Sequence, residues 1–175
     1  GPRVHPTALV APRAVVGDGT VVWAFASIGE DARIGKNCRI GQGVYVDRAV
    51  RVGDGVWVHN RASIYRPVEI GNHVFVGPHV VFVNDADPRA DHVRELDGVT
   101  WRVADYATIG AGAIIMSDIS LAEHCLIGAG ALVTKKVNIK GGDGATINSG
   151  PVHGRGLIKG FRIMAGGTGA SISPL

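Results

Sequence analysis

The chain has 175 residues, 18 Lys and Arg against 15 Asp and Glu, 26 Gly, two Cys and only 6% aromatics. That length suits one domain with a continuous core, and the Gly content points to many tight turns rather than long helices. The net charge of +3 suits an anionic small molecule without calling for nucleic acid; no stretch reads as a membrane span or secretory signal, so a cytoplasmic protein is expected.

From Val4 onward every sixth residue is apolar, through Val10, Val16, Val22, Ile28, Ile34, Ile40, Val46, Val52, Val58, Ile64, Ile70 and Val76 to Phe82. A second series four places later is small or β-branched, as in Ala8, Ala14, Thr20, Ala26, Ala32, Cys38 and Val44. A period of six is neither helix nor meander; it is the mark of a parallel β-helix. Each hexapeptide is expected to give one short strand and one corner, with three per turn, so that residues 18 apart stack as parallel rungs about 4.8 Å from one another. Gly17, Gly29, Gly35, Gly41, Gly53, Gly71 and Gly77 follow the first position, where the corner is tightest. Cys38 and Cys125 fall on inward positions and read as buried thiols, with no disulfide framework or zinc knuckle.

The beat stops in "VFVNDADPRADHVREL" and resumes at Val103, followed by Ile109, Ile115, Leu121, Ile127 and Val133. The 21 residues from Phe82 to Val103 are not a multiple of six, which predicts a loop over 83–102 projecting from a domain spanning 1–137. Beyond Val137 the pattern ends, and 138–175 read as a Gly-rich cap or tail.

The stretches "VHPTALV", "ARIGKNCRIGQGVYV", "VHNRASIY", "GPHVVFVNDADPRA", "IGAGAII" and "LIGAGALVTKKV" resemble the hexapeptide-repeat acyltransferases, within them the nucleotide-amino-sugar N-acetyltransferases. The resemblance covers roughly residues 4–137 and implies an all-β, left-handed parallel β-helix. It also implies a homotrimer with acetyl-CoA as cosubstrate in the groove between subunits, and a nucleotide-linked amino sugar as the acceptor. In this chain Ala24 stands where relatives often carry His, Asp118 and Ala122 replace commoner turn residues, and the relatives' Gly-Asn-Pro-Ala-Arg ending is absent.

The implied chemistry is attack of a neutral amine on a thioester. Orientation of both reactants does most of the work, and the leaving thiolate is able to take the proton. Asn84 is the first candidate, because its amide both donates and accepts. His92, titrating near neutrality, is the reserve base. Asp85 either assists Asn84 or caps the loop, and Arg89 either grips an anionic sugar substituent or is solvated. Asn60 and Tyr65 match a stretch near the sugar nucleotide in relatives; as corner residues they are equally explained by turn structure. Gly110, Gly112, Gly128 and Gly130 would let the pantetheine chain approach the backbone, and Lys135 and Lys136 would meet its phosphates. His73, His79 and His124 should point outward. Two rivals remain: a non-catalytic scaffold or regulatory subunit, and a zinc carbonic anhydrase. The second needs two His five apart, whereas His73 and His79 are six apart, and no metal site is expected.

Overall fold

The computed structural model describes residues 1–134 together with the strand backbones of Ala145–Ser149 and Phe161–Ala165. Lys135, Lys136 and most of the expected cap over 138–175 lie outside the described residues. The fold is an all-β parallel β-helix of about seven turns, as the hexapeptide period predicts, and left-handed, as the family resemblance implies.

Three sheets form the faces of a prism. The first face stacks Arg3–Val4, Val21–Val22, Arg39–Ile40, Trp57–Val58, Phe75–Val76, Thr108–Ile109 and Leu126–Ile127 in parallel. Ala145–Ser149 continues that sheet in parallel, and Phe161–Ala165 pairs with it antiparallel. The second face runs from Leu9–Val10 to Leu132–Val133, and the third from Val15–Val16 to Trp101–Val103. A first corner joins face one to face two, a second joins two to three, and a third returns to face one.

Both sequence series point inward. Ile28, Ile40, Val46, Ile64, Val76, Phe82 and Ile109 are buried, as are Ala26, Ala32, Ala62 and Val80 from the second series. Val4 stays exposed and Val10 and Val16 are half-covered, because a first-coil residue has a neighbouring coil on one side only. Thr20 shows how a polar residue enters this column. Its hydroxyl donates to the Gly35 carbonyl (2.7 Å) and accepts the Cys38 N–H (3.0 Å), so this buried hydroxyl is paired both as donor and as acceptor.

The corners repeat one device. Phe25, Asn37, Arg61, His73, His79 and Tyr106 adopt positive φ near 60°, a conformation unusual for residues with a Cβ. It turns their N–H groups onto the corner below, as when Arg61 donates to the Gln42 carbonyl (2.9 Å) and His73 to that of Asp54 (2.8 Å). At the third corner Asp54, Asn72 and Asp105 accept the N–H groups of Lys36, Asp54 and Asn72 respectively. The Asn72 bond is the first cause holding the Asp105 carboxyl below its ordinary range.

Val68–Ile70 pairs with Trp101–Val103, so residues 33 apart take the place of residues 18 apart. Fifteen residues are therefore extra, and the last two positions of the expected 83–102 loop belong to a strand. Leu96 and Trp101 seat the loop in the core cluster. The Trp101 Nε1–H has no partner among the described residues, a cost that burial of its indole must offset.

Two outcomes follow from this packing. Ile64→Ala should lower unfolding free energy by about 2–5 kcal/mol in urea titration, because its column is closely filled from both sides. Burial pushes the Cys125 thiol up to about 11. A folded value above the unfolded one, about 8.5, means the native state holds the proton longer, so stability should fall as pH rises from about 8.5 towards 11. Thermal melts across that range should show a shallower fall in Cys125→Ala.

Candidate active site

The second corner is where the loop leaves the prism and where polar side chains gather. In successive coils it is built from Asp47, Arg48 and Ala49; from Tyr65, Arg66 and Pro67; from Val83 and Asn84 with the loop; and from Met116, Ser117 and Asp118. The stacking of coils brings residues 18 apart into contact, and the chemistry of this corner depends on that register.

Asp47 begins the network. Its Oδ1 accepts the Tyr45 hydroxyl (3.1 Å) and the Arg48 N–H (2.8 Å), and its Oδ2 accepts the Arg66 N–H (3.2 Å). Burial first, then the Asp47 charge, raises the Tyr45 phenol above its ordinary range, so the hydroxyl remains a donor. The Tyr65 ring lies 5.2 Å from that of Tyr45, which gives the corner an aromatic wall.

One coil further, the Asn84 Nδ2 donates to the Arg66 carbonyl (3.1 Å). A carbonyl only accepts, so this bond fixes which way the amide faces. Nδ2 is engaged, and Oδ1 accepts no hydrogen bond from the described residues. Arg94 returns from the loop to donate to the Asn84 carbonyl (3.2 Å) through Nη1 and to both Asp118 oxygens (2.9 and 3.0 Å) through Nη2. Its guanidinium carbon also stands 5.9 Å from the centre of the Trp101 ring. Asn84 is thus held on both sides, by Arg66 below and Arg94 above.

The other sequence candidates are placed differently. Asp85 accepts the Asp87 N–H (3.0 Å), a local turn, and Arg89 stands 3.6 Å from Asp87. The His92 N–H donates to the Arg89 carbonyl (3.4 Å), and among the described residues no contact joins His92 to Asn84. Asn60 lies at the first corner, where its Oδ1 accepts the Gln42 N–H (3.0 Å), so it does not meet Asn84 or Tyr65. Gly110, Gly112, Gly128 and Gly130 also lie at the first corner. A Cβ at Gly110 would strike the Ala129 backbone, whereas one at Gly112 would meet nothing within 4 Å among the described residues. Phe25, Arg61 and His79 carry side chains at the equivalent place with the same positive φ, whereas Gly43, Gly112 and Gly130 carry none. Among the described residues no group of three or more His, Cys, Asp or Glu side chains could hold a metal ion.

Sequence reading missed Tyr45, Asp47, Arg66 and Arg94 and noted Asp118 only as an odd turn residue. The signal was present for some: Arg66 precedes Asn84 by 18 residues, one full turn.

The model of bacterial transferase hexapeptide (six repeats) matches residues 1–48 and 49–84, and that of the hexapeptide repeat of succinyl-transferase matches 105–135. The chain belongs to the hexapeptide-repeat transferases. Among solved structures it is similar to the acetyltransferase domain of PglB from Neisseria gonorrhoeae, at 24% identity and a TM-score of 0.56 over 67% of this chain. The same domain in complex with acetyl coenzyme A gives 23% identity and a TM-score of 0.52 over 65% of this chain and 50% of that one. AntD, an N-acyltransferase from Bacillus cereus in complex with dTDP-4-amino-4,6-dideoxyglucose and coenzyme A, gives 16% identity and a TM-score of 0.65, covering 86% of this chain and 81% of that one. The chain spans half the length of the Neisseria chain it matches. No curated protein sequence matches it.

Because Arg94 ties the loop to two places at once, Arg94→Ala should speed cleavage between residues 84 and 100 several-fold in limited proteolysis. Asp118→Asn, which leaves the bond to the Asn84 carbonyl intact, should speed it less.

Proposed function

We propose that the protein is an N-acetyltransferase that moves an acetyl group from acetyl-CoA to the amine of a nucleotide-linked amino sugar. The observation that carries this reading is the Asn84 amide, fixed by the Arg66 carbonyl so that its Oδ1 is left to accept an N–H. An amine held by one N–H has its lone pair directed by that bond, and orientation of this kind is what acyl transfer needs most. The fold, shared with an acetyltransferase domain and an N-acyltransferase whose ligands are acetyl coenzyme A, coenzyme A and a dTDP-amino sugar, supports the same reading.

Acetyl-CoA supplies an activated thioester. The glycine edge at Gly110, Gly112, Gly128 and Gly130 suits its extended pantetheine, because a residue without a side chain lets a ligand approach the backbone, and at Gly112 nothing among the described residues fills the place of a Cβ. Asn84 accepts an amine N–H and aims the nitrogen at the acyl carbon, and as the C–N bond forms the C–S bond breaks. The amine proton leaves with the thiolate, so no strong protein base is required. Tyr65 forms part of the wall beside Asn84, and Asp85 and Arg89 shape the loop around it. His92, on the same loop, remains the reserve base. Lys135 and Lys136 follow the glycine edge in sequence and would meet the CoA phosphates.

The glycine edge is at the first corner and Asn84 at the second, separated by the whole width of the second face. One chain therefore does not bring both to one substrate. A parallel homotrimer, in which one copy's loop reaches the glycine edge of its neighbour, completes the site.

Thiol release from acetyl-CoA should be followed with a panel of UDP-, dTDP- and GDP-linked amino sugars. Asn84→Ala should reduce turnover ~100-fold with an unchanged melting temperature. An unaltered rate would remove Asn84 from the site, and no turnover by a well-folded oligomer with any acceptor would sink the reading.

A further inference from the structure

A second surface, not among the sequence candidates apart from Asn60, has a composition of its own. A groove of about 760 Å³ runs over the N-terminal coils of the first face and first corner, lined chiefly by Arg3, His5, Trp23, Arg39, Trp57 and His59. No carboxylate lines it, and among the described residues neither Arg3 nor Arg39 has an acidic partner. It is at once cationic and aromatic.

The repeat explains why these side chains stand out. At the place after the inward residue many corners carry Gly, and at Gly29 and Gly77 a Cβ would crowd the backbone of the next coil. At the first corner His5, Trp23 and His59 occupy that place instead, with Gly41 between the last two. Trp23 and His59 thus stand on corners two rungs apart, roughly 10 Å. The His59 ring packs 4.8 Å from that of Phe75, one coil further on, so a planar ring entering the groove over Gly41 would meet Trp23 first.

The adjoining outward column on the face reads Arg3, Val21, Arg39, Trp57 and Phe75 in direct register. The Arg39 guanidinium carbon sits 4.2 Å from the Trp57 ring centre, a cation–π contact that holds the charge in place. Trp23 is 54% exposed and Trp57 41%, which leaves large aromatic area in water beside unneutralised charge.

We propose that this groove binds a nucleoside diphosphate, with the base over Gly41 against Trp23 and the phosphates on Arg3 and Arg39. The assignment rests on the transferase reading for the identity of the ligand, and the charge and aromatic content of the groove stand without it. A nucleoside diphosphate occurs both in a sugar nucleotide and in CoA. The groove takes the sugar nucleotide, because the glycine edge suited to CoA occupies the C-terminal coils of the same corner.

Tryptophan fluorescence tests this on the full chain, since Trp23 and Trp57 are exposed while Trp101 is buried. UDP, dTDP, GDP and CoA would be titrated separately into the native protein, Trp23→Ala, Arg39→Gln and, as a control on the third face, Arg33→Gln. At least one of UDP, dTDP and GDP should quench saturably, with Kd raised tenfold or more in Trp23→Ala and Arg39→Gln and unchanged in Arg33→Gln. The CoA response should be insensitive to all three. Quenching by CoA alone that is lost in the groove variants would overturn the assignment to the sugar nucleotide. No saturable response, or one that the groove variants leave intact, would overturn the groove itself. Intact, variant-sensitive quenching without acetyl transfer to any acceptor would leave the groove standing and remove the transferase reading, so the two fail separately. Far-UV circular dichroism and melting of each variant identify any loss of binding that comes from unfolding.

Discussion

The structure depends on the parallel backbone ladder that joins each coil to the next. Successive coils are joined by N–H groups that donate one turn further on, as in the bonds from Trp57 to the Val74 carbonyl and from Ser63 to that of Val80. With rungs about 4.8 Å apart, a residue has its register partner as nearest neighbour whatever lies between them in sequence. The small second series and the corner glycines are conditions for that closeness: a Cβ at Gly53 would fall 2.8 Å from the Gly71 backbone. Side-chain columns, aromatic ladders and corner hydrogen bonds all inherit the same spacing. At the third corner it stacks His73, Tyr106 and His124 with ring centroids 5.0 and 4.9 Å apart.

A ladder of this kind tolerates an insertion only where it returns in register. The fifteen extra residues leave after Val83 and re-enter at Trp101, which pairs with Val68 as if nothing intervened. The loop remains attached to the prism through Leu96 and Trp101 in the core and through Arg94 on Asn84 and Asp118. A loop on a rigid scaffold combines a mobile tip with a fixed root. Here Asn84 is at the root, with its amide orientation set by the coil beneath, while His92 is further out.

The prism also separates its candidate edges. The loop root lies at the second corner, and the aromatic, cationic groove and the glycine edge share the first. The groove and the glycine edge lie in line along the first corner, and the short strands of the second face hold both apart from the root of the loop.

The hexapeptide period determined the inward columns, because a side chain that must fill a core repeats its chemistry each time the backbone returns. Val22, Ile28, Ile40, Cys38, Phe82 and Cys125 are buried as their positions require. The interruption after Phe82 likewise marked where a loop leaves. Tertiary structure alone decided how far that interruption shifts the register, and so that Asn72 meets Asp105 and Arg94 meets Asp118. It also decided which atoms meet across that register, so that the Asn84 amide donates to the Arg66 carbonyl and Asp47 accepts the Arg66 N–H. Outward residues obey no periodic rule, since solvent accepts most side chains equally; which of them become neighbours is set by coil stacking and loop length, and neither can be read from composition.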